Sequence, residues 1–383
     1  MRTRAPISRV ELAELTGLTQ ASISHAVRAL LEEGLLRETG LREWTGGKPR
    51  VMLTLDPLAR CSVGVQLGAD WIVVVLADTR GSVVARTRVR GVRSAEPAEA
   101  VTAIAGHIDV LLSATGVDRS RVLGIGLAAP GTLDLDEGSV LVSRTLERWQ
   151  GYPLRAALAA ATALPVVLEN DATAAAVGEF WGGRIPGSAA HCTLYVGASI
   201  GAGIVINGSV YRGASGNTGP LGRMHLHRGG DRPDAVLEDL AGPQAVADRA
   251  RTALAAGRAS TVALSEDGDP FTDFTAIAAA AVRGDALCTE LVAQSAEYLA
   301  DAAVTVADIL DLDSLALAGP AMSTAGSLYV ATLERRLAAE FWAGARHGVR
   351  VTLAAHAADA AAVGAASLVL QQELAPRHLG GRL

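Results

Sequence analysis

Leu164-Pro165-Val166-Val167-Leu168-Glu169-Asn170-Asp171 is an apolar run that closes on three polar residues and leads into an alanine-rich stretch. Branched aliphatics bounded by a proline and by polar residues predict a short strand, and Asp171 stands where a helix starting at Ala172 would take its cap. Upstream, residues 122–127 read as another strand, closed by the turn Ala128-Ala129-Pro130-Gly131, with a helical stretch at 98–114 before it. Further back, residues 61–67, 72–77 and 83–89 read as three strands parted by Gly68-Ala69-Asp70 and Asp78-Thr79-Arg80-Gly81. Antiparallel strands followed by alternating α and β elements predict a mixed-sheet α/β body. A second set of the same kind starts near residues 193–196. It passes through the turn-like Gly197-Ala-Ser-Ile-Gly201-Ala-Gly203 into 204–206, turns at Asn207-Gly208 and continues at 209–211. That repetition predicts two related lobes around a cleft. Beyond it, 236–256 and 276–308 read as helical stretches, with late strands at 315–317 and 349–353.

The chain has 383 residues, of which half are apolar and 19% charged, the balance of a globular protein of two or three domains. No apolar run nears the ~20 residues of a membrane span, and no secretory leader pattern opens the sequence. Cys61, Cys192 and Cys288 are too scattered for a disulfide framework or a zinc cluster. A cytoplasmic protein with no membrane association is expected. Residues 1–60 carry a small excess of basic side chains on an otherwise acidic chain, the asymmetry of a nucleic-acid-binding head on a separate body.

That head has its own punctuation. Ser8-Arg9-Val10-Glu11 is a capping box, Thr16-Gly17 ends the helix it starts, and Thr19 caps a second helix with Ile23, Val27, Leu30 and Leu31 on one face. Gln20, Ala21, Ser24, His25 and Arg28 occupy the other face, short or hydrogen-bonding side chains suited to base edges in a major groove. A hairpin follows, with strands at 35–38 and 51–55 around Thr45-Gly46-Gly47-Lys48-Pro49-Arg50, whose Lys48 and Arg50 suit phosphates or a minor groove. Residues 1–60 therefore read as a winged helix–turn–helix, with Thr19, Gln20, Ala21, Ser24, His25, Arg28, Lys48 and Arg50 as the DNA-contacting set. Winged modules of this kind usually carry a further helix before the segment starting at Ile7. Only six residues precede it, so that helix is expected to be truncated or missing.

From Ile7 to Leu370 the chain resembles the ROK family of repressors, open reading frames and sugar kinases. The resemblance rests on nine segments in order. They are the winged head with Gly46-Gly-Lys-Pro49, Gly124-Ile-Gly-Leu-Ala-Ala-Pro-Gly131, Arg148-Trp149-Gln-Gly151, Glu169-Asn170-Asp171 with Gly178-Glu179, Gly201-Ala-Gly203, Tyr211-Arg-Gly-Ala-Ser-Gly216, Leu237-Glu238, Leu317-Ala-Gly319 and Gly364-Ala-Ala366. The resemblance implies an α/β protein with a winged helix–turn–helix on a two-lobed actin/hexokinase-like (ribonuclease H-like) body. Residues 61–168 with 357–383 would form one lobe and 169–356 the other.

In the family's kinases the Asp of Glu-Asn-Asp is the base beside the attacking hydroxyl, here Asp171, with Asn170 holding the sugar and Glu238 a further sugar contact. Gly131, Asn170, Asp171, Arg223 and Glu238 are thus the expected ligand-binding residues. The phosphate side departs from the family. Its Asp-x-Gly-Gly-Thr reads Gln66-Leu67-Gly68-Ala69-Asp70, which exchanges the metal-associated Asp for Gln and brings a carboxylate, expected to repel phosphates, to the Thr position. Its Gly-Thr-Gly reads Gly197-Ala198-Ser199. On the sugar side, Ala-Gly-Glu-x-Gly-His reads Thr218-Gly219-Pro220-Leu221-Gly222-Arg223, and the cysteine cluster that follows in the family is absent. His225, His227 and Asp231 lie there without the spacing of a zinc site. The expectation is a DNA-binding transcriptional regulator, a repressor above all, with no cofactor, no metal and no catalytic residue beyond the vestigial base Asp171. Its partners would be double-stranded operator DNA, a sugar-derived, anionic effector, and a second copy in a homodimer or dimer of dimers. The alternatives are a hexose kinase using ATP and a ligand-independent DNA-binding protein.

Overall fold

The structure is a computed structural model that describes residues 5–43, 50–182, 185, 187–226 and 235–374. Lys48, His227 and Asp231 lie outside the described residues.

The head begins with β1 (Ile7–Ser8), α1 (Arg9–Thr16) and α2 (Gln20–Glu32), then β2 (Leu36–Glu43) and β3 (Arg50–Leu55). Ser8 and Glu11 form the capping box in full, and Gly17 takes a left-handed φ of 69° that turns the chain into α2. Ile7, Leu12, Ile23, Val27, Leu36 and Leu53 make a small core of their own, with Leu30 and Leu31 packed on it. The hairpin strands are longer than the sequence suggests, and β1 adds a third strand, antiparallel to β3. A two-residue strand is too short to show a period-2 pattern.

The body opens with β4 (Cys61–Gln66), β5 (Trp71–Ala77), β6 (Val83–Arg90), α3 (Pro97–Thr115), β7 (Val122–Ala129), the small hairpin β8 (Thr132–Asp134) and β9 (Ser139–Val142), α4 (Leu154–Thr162), β10 (Val166–Asn170) and α5 (Asp171–Trp181). Then come β11 (Ala190–Val196), β12 (Ile200–Ile206), β13 (Ser209–Val210), α6 (Leu237–Ala241), α7 (Pro243–Ala255), α8 (Pro270–Val282), α9 (Ala286–Leu310), β14 (Ser314–Ala318), α10 (Met322–Glu340), β15 (Arg350–Leu353) and α11 (Ala360–Leu374). The first five-stranded sheet runs β10-β7-β4-β5-β6 and the second β13-β12-β11-β14-β15. In each, three strands form an antiparallel meander and two more join it in parallel. The duplication expected from the sequence is therefore present in the topology.

Three local expectations are corrected. Gly197–Gly203 is a turn only at 197–199 and strand from Ile200, because its glycines serve packing: a Cβ on Gly203 would sit 2.2 Å from the Ala172 carbonyl of α5. The stretch 236–256 is broken at Gly242-Pro243, where proline starts a new helix at its first position. The stretch 276–308 is broken at Gly284, whose φ of 90° ends α8 before Asp285 caps α9.

Helices α5 and α11 pack together between the two sheets through small residues. A Cβ on Gly364 would lie 1.7 Å from the Ala174 carbonyl, so only glycine permits that approach. The head is fastened to the first sheet at the β5–β6 turn. Arg80 donates to Thr54 Oγ1 at 2.7 Å and to the Leu55 carbonyl at 3.3 Å, while Thr79 exchanges hydrogen bonds with the Arg60 backbone at 3.0 and 2.8 Å. Among the described residues no helix is long and apolar enough to cross a membrane.

Candidate functional site

The expected site residues fall on two surfaces. The first is α2. Gln20, Ala21, Ser24, His25 and Arg28 are all exposed on it, while Ile23 and Val27 are buried beneath. Thr19 is the N-cap: its Oγ1 accepts from the Ser22 amide at 3.2 Å, so its hydroxyl is engaged in starting the helix. Arg50 sits half-buried at the start of β3, opposite Glu43 at the loop end of the hairpin, where its charge helps hold the Glu11 carboxyl below its ordinary range, after the two hydrogen bonds from Ser8.

The second surface is a polar corner at the ends of β7 and β10. Asn170, rather than Asp171, is the N-cap of α5, its Oδ1 accepting from the amides of Ala172 at 3.0 Å and Thr173 at 3.3 Å. The same side chain donates through Nδ2 to the Gly131 carbonyl at 3.3 Å, tying the β7 turn to the β10–α5 corner. Gly131 has φ of 104°, and a Cβ there would lie 2.2 Å from the Val142 carbonyl. Asp171 is half-buried, and its carboxylate bonds the Ala172 amide at 2.9 Å. Burial of the carboxylate pushes its pKa up to about 7, against the lowering pull of the backbone amides and Asn170. Its neighbour Glu169 is almost sealed from solvent and held by Arg212 Nε at 2.9 Å; burial, the larger influence, still raises its pKa.

Glu238, in the first turn of α6, accepts from Arg144 Nη1 at 2.7 Å and from the Ile200 amide at 3.4 Å. Burial raises its pKa, opposed by Arg144, the Ile200 amide and Arg223. Asn217 bridges to the hairpin β8–β9 with two bonds to the Leu133 backbone, at 2.7 and 2.9 Å. Gly201 lies against Ala172, and its neighbour Ile200 donates to Glu238. Gly131 and Asn170 are hydrogen-bonded and Asp171 follows them, Glu238 is reached from there through Ile200, and Arg223 is exposed beside Glu238 with no ion pair among the described residues. Arg144, Arg212 and Asn217 are members that sequence reasoning missed. Arg144 and Glu238 are 94 positions apart and carry no common spacing.

The phosphate side is rearranged. Gln66 is buried at the end of β4, and its Oε1 has no hydrogen-bond partner among the described residues. A neutral amide there supplies no anionic ligand for a metal. Asp70, expected to repel phosphates, is ion-paired with Arg93, so its charge is already met. That corrects the repulsion argument. Among the described residues no three His, Cys, Asp or Glu side chains are grouped to share a metal ion. Cys61, Cys192 and Cys288 are buried and free.

A small two-helix head fastened to the first of two topologically duplicated sheets, with α5 and α11 packed between the sheets, defines an actin/hexokinase-like body with an added N-terminal module. The chain belongs to the ROK family, which matches residues 62–372. It is 28% identical to a putative xylose repressor of a Caldicellulosiruptor species, over 96% of this chain and 93% of that protein. It is 29% identical to a glucokinase of Halalkalibacterium halodurans over 82% of this chain and 96% of that one. Among solved structures, a ROK family transcriptional regulator described as a homologue of the E. coli MLC protein superposes with a TM-score of 0.74, at 24% identity, covering 96% of this chain and 92% of the other. A ROK glucokinase from Streptomyces griseus in complex with glucose and AMPPNP gives 0.67 at 25% identity, covering 80% of this chain and 98% of that one.

Proposed function

We propose that this protein is a sequence-specific DNA-binding transcriptional regulator, of the repressor kind, whose cleft binds a sugar-derived small molecule. The observation that carries the reading is the division within the body. The sugar-side corner Gly131–Asn170–Asp171 is hydrogen-bonded and in place, while the phosphate side has Gln66 where a kinase needs an acid. The head supports it with an exposed α2 face of groove-compatible side chains, and so do relatives of nearly full length that are named repressors. Cytoplasmic residence goes with this role. One helix in one groove gives little discrimination, so the working form is a homodimer or dimer of dimers on an inverted repeat, with half-sites one or two helical turns apart. Mobility shift against the promoter regions flanking its own coding sequence tests the reading. Salt-sensitive, sequence-preferring binding supports it; no binding, or binding without salt dependence, sinks it.

A second reading, a hexose kinase, has one specific support. Asp171 titrates near neutrality, where a general base works best, and glucokinases are among the relatives. Against it stands the absence of an anionic or hydroxyl ligand at Gln66 and Ala198, since phosphoryl transfer depends on positioning and charge neutralisation.

A further inference from the structure

Three charged side chains from distant parts of the chain meet at the cleft beside Asp171. Arg144 follows β9, Arg223 ends the short helical turn 221–223, and Glu238 stands in the first turn of α6. Arg144 Nη1 lies 2.7 Å from Glu238 Oε1, and Arg223 is close enough for its charge to favour the ionised form of the same carboxylate. The two partners differ in freedom. The Arg144 side chain is 71% exposed, whereas that of Glu238 is 14% exposed and is also held by the Ile200 amide. The carboxylate is thus the fixed inner member and the guanidinium the movable outer one.

Two permanent cations stand around this inner carboxylate, and Asp239 next to it is the second acid of the cluster. Each guanidinium presents five donors in a planar fork that matches a carboxylate or phosphate. Glu238 engages Arg144 through a single nitrogen, and the Arg223 guanidinium makes no hydrogen bond with any described residue. Ser143, next to Arg144, packs on Gly131, whose carbonyl accepts from Asn170, and the amide of Asn170 with the carboxyl of Asp171 offers both donors and acceptors to hydroxyl groups.

We propose that Arg144 and Arg223 form the receptor for the acidic group of a polyhydroxylated ligand, a sugar carboxylate or sugar phosphate, with Glu238 as the internal counterion that such a ligand displaces from Arg144. The exchange leaves neither cation unpaired and leaves Glu238 with its Ile200 bond. A neutral sugar offers nothing to replace the ion pair. This inference rests on the reading of the cleft as an effector site and specifies the effector's class.

Calorimetric titration of the full chain, without DNA, tests it with D-glucuronate, D-glucose 6-phosphate, D-glucose, D-xylose and inorganic phosphate. One acidic sugar should bind at least about tenfold more tightly than either neutral sugar and than inorganic phosphate. Glucuronate against glucose 6-phosphate distinguishes a carboxylate from a phosphate group. Arg144→Gln and Arg223→Gln should each weaken that ligand by about tenfold or more. Glu238→Gln, which removes the competitor, should tighten it. Arg144→Lys, which keeps the charge but loses the fork, should fall between wild type and Arg144→Gln, and it guards against a misfolded Gln variant. The proposal is overturned if no acidic sugar binds, if a neutral sugar binds as tightly, or if both Arg→Gln variants bind the acidic sugar like wild type. Loss of DNA binding would sink the regulator reading while leaving this titration unaffected.

Discussion

The guanidinium of Arg80 donates to Thr54 Oγ1 at 2.7 Å, fastening the last strand of the head to the first sheet of the body. The next residue, Gly81, rests on the far end of α5: a Cβ there would lie 2.9 Å from Cδ1 of the Trp181 ring. Helix α5 begins at Asp171 and runs 11 residues, about 16 Å at 1.5 Å per residue. One rigid helix therefore has the cleft at its first turn and the head's fastening at its last. Asp78 stiffens the fastening, its Oδ1 accepting from the amides of Arg80 at 2.9 Å and Ser82 at 2.8 Å.

Arg80→Ala removes both bonds to the head and leaves the Asp78 turn intact. Each hydrogen bond from a charged donor contributes about 1.5–3 kcal/mol, so the end of β3 should open more readily. Hydrogen exchange should accelerate at Leu53–Leu55 by about tenfold or more, with β4 unchanged. Equal exchange in the two proteins would show that the head is held by something else.

The local chemistry of this chain was legible, and the long-range pairing was not. The capping box at Ser8–Glu11 and the glycine at 17 act within one turn of helix, so sequence order is enough to read them. The duplicated lobes were visible because each begins with a hairpin of branched aliphatics. The glycines of 197–203 misled because two of them make room for α5 from across the fold, which a local reading takes for turn chemistry. Asn170 and Asp171 were found through the family motif, although capping falls to Asn170 and Asp171 keeps its carboxyl at the cleft. Arg144, Arg212 and Asn217 each reach a partner more than 40 positions away, and no periodicity encodes that.

Asp171 makes stability depend on pH in a definite direction. Its folded pKa of about 7 lies above the ordinary aspartate value of 3.8, so between those values the folded state keeps a proton that the unfolded chain gives up. Stability contributed by the neutral carboxyl is present at low pH and is lost as pH rises toward 7. Asp171→Asn, which cannot ionise, should gain about 1–3 kcal/mol over wild type near pH ~8 and nothing near pH ~4, a range set low because the side chain is partly solvated. Urea denaturation of both proteins at the two pH values checks this; an equal difference at both would mean that Asp171 is ordinary in the folded state.

No ATP-dependent phosphorylation of glucose, mannose or N-acetylglucosamine is expected. Gln66 and Ala198 stand where phosphate and metal contacts are needed, and Arg93 is taken up by Asp70. A coupled assay giving turnover near ~1 s⁻¹, modest for an enzyme, that vanished in Asp171→Ala would establish the kinase reading instead.

Recognition of DNA should divide between two kinds of side chain. Arg28 stands exposed on α2, where a guanidinium can bind a guanine edge through two parallel hydrogen bonds, so Arg28→Ala should weaken the specific site by about 1–3 kcal/mol while barely changing affinity for unrelated DNA. Ala21 and Ser24, short and exposed on the same face, allow the helix axis to approach the bases; a bulky Ser24→Trp should abolish specific binding without unfolding the head, whose core lies on the Ile23–Val27 side. Lys48 is read from the sequence as a phosphate contact, so Lys48→Ala should weaken all sequences alike and flatten the slope of affinity against salt by about one ion. Fluorescence anisotropy with specific and scrambled duplexes over a salt series separates the effects. If Arg28→Ala lowers both affinities equally, α2 lies along the backbone and does not read the groove.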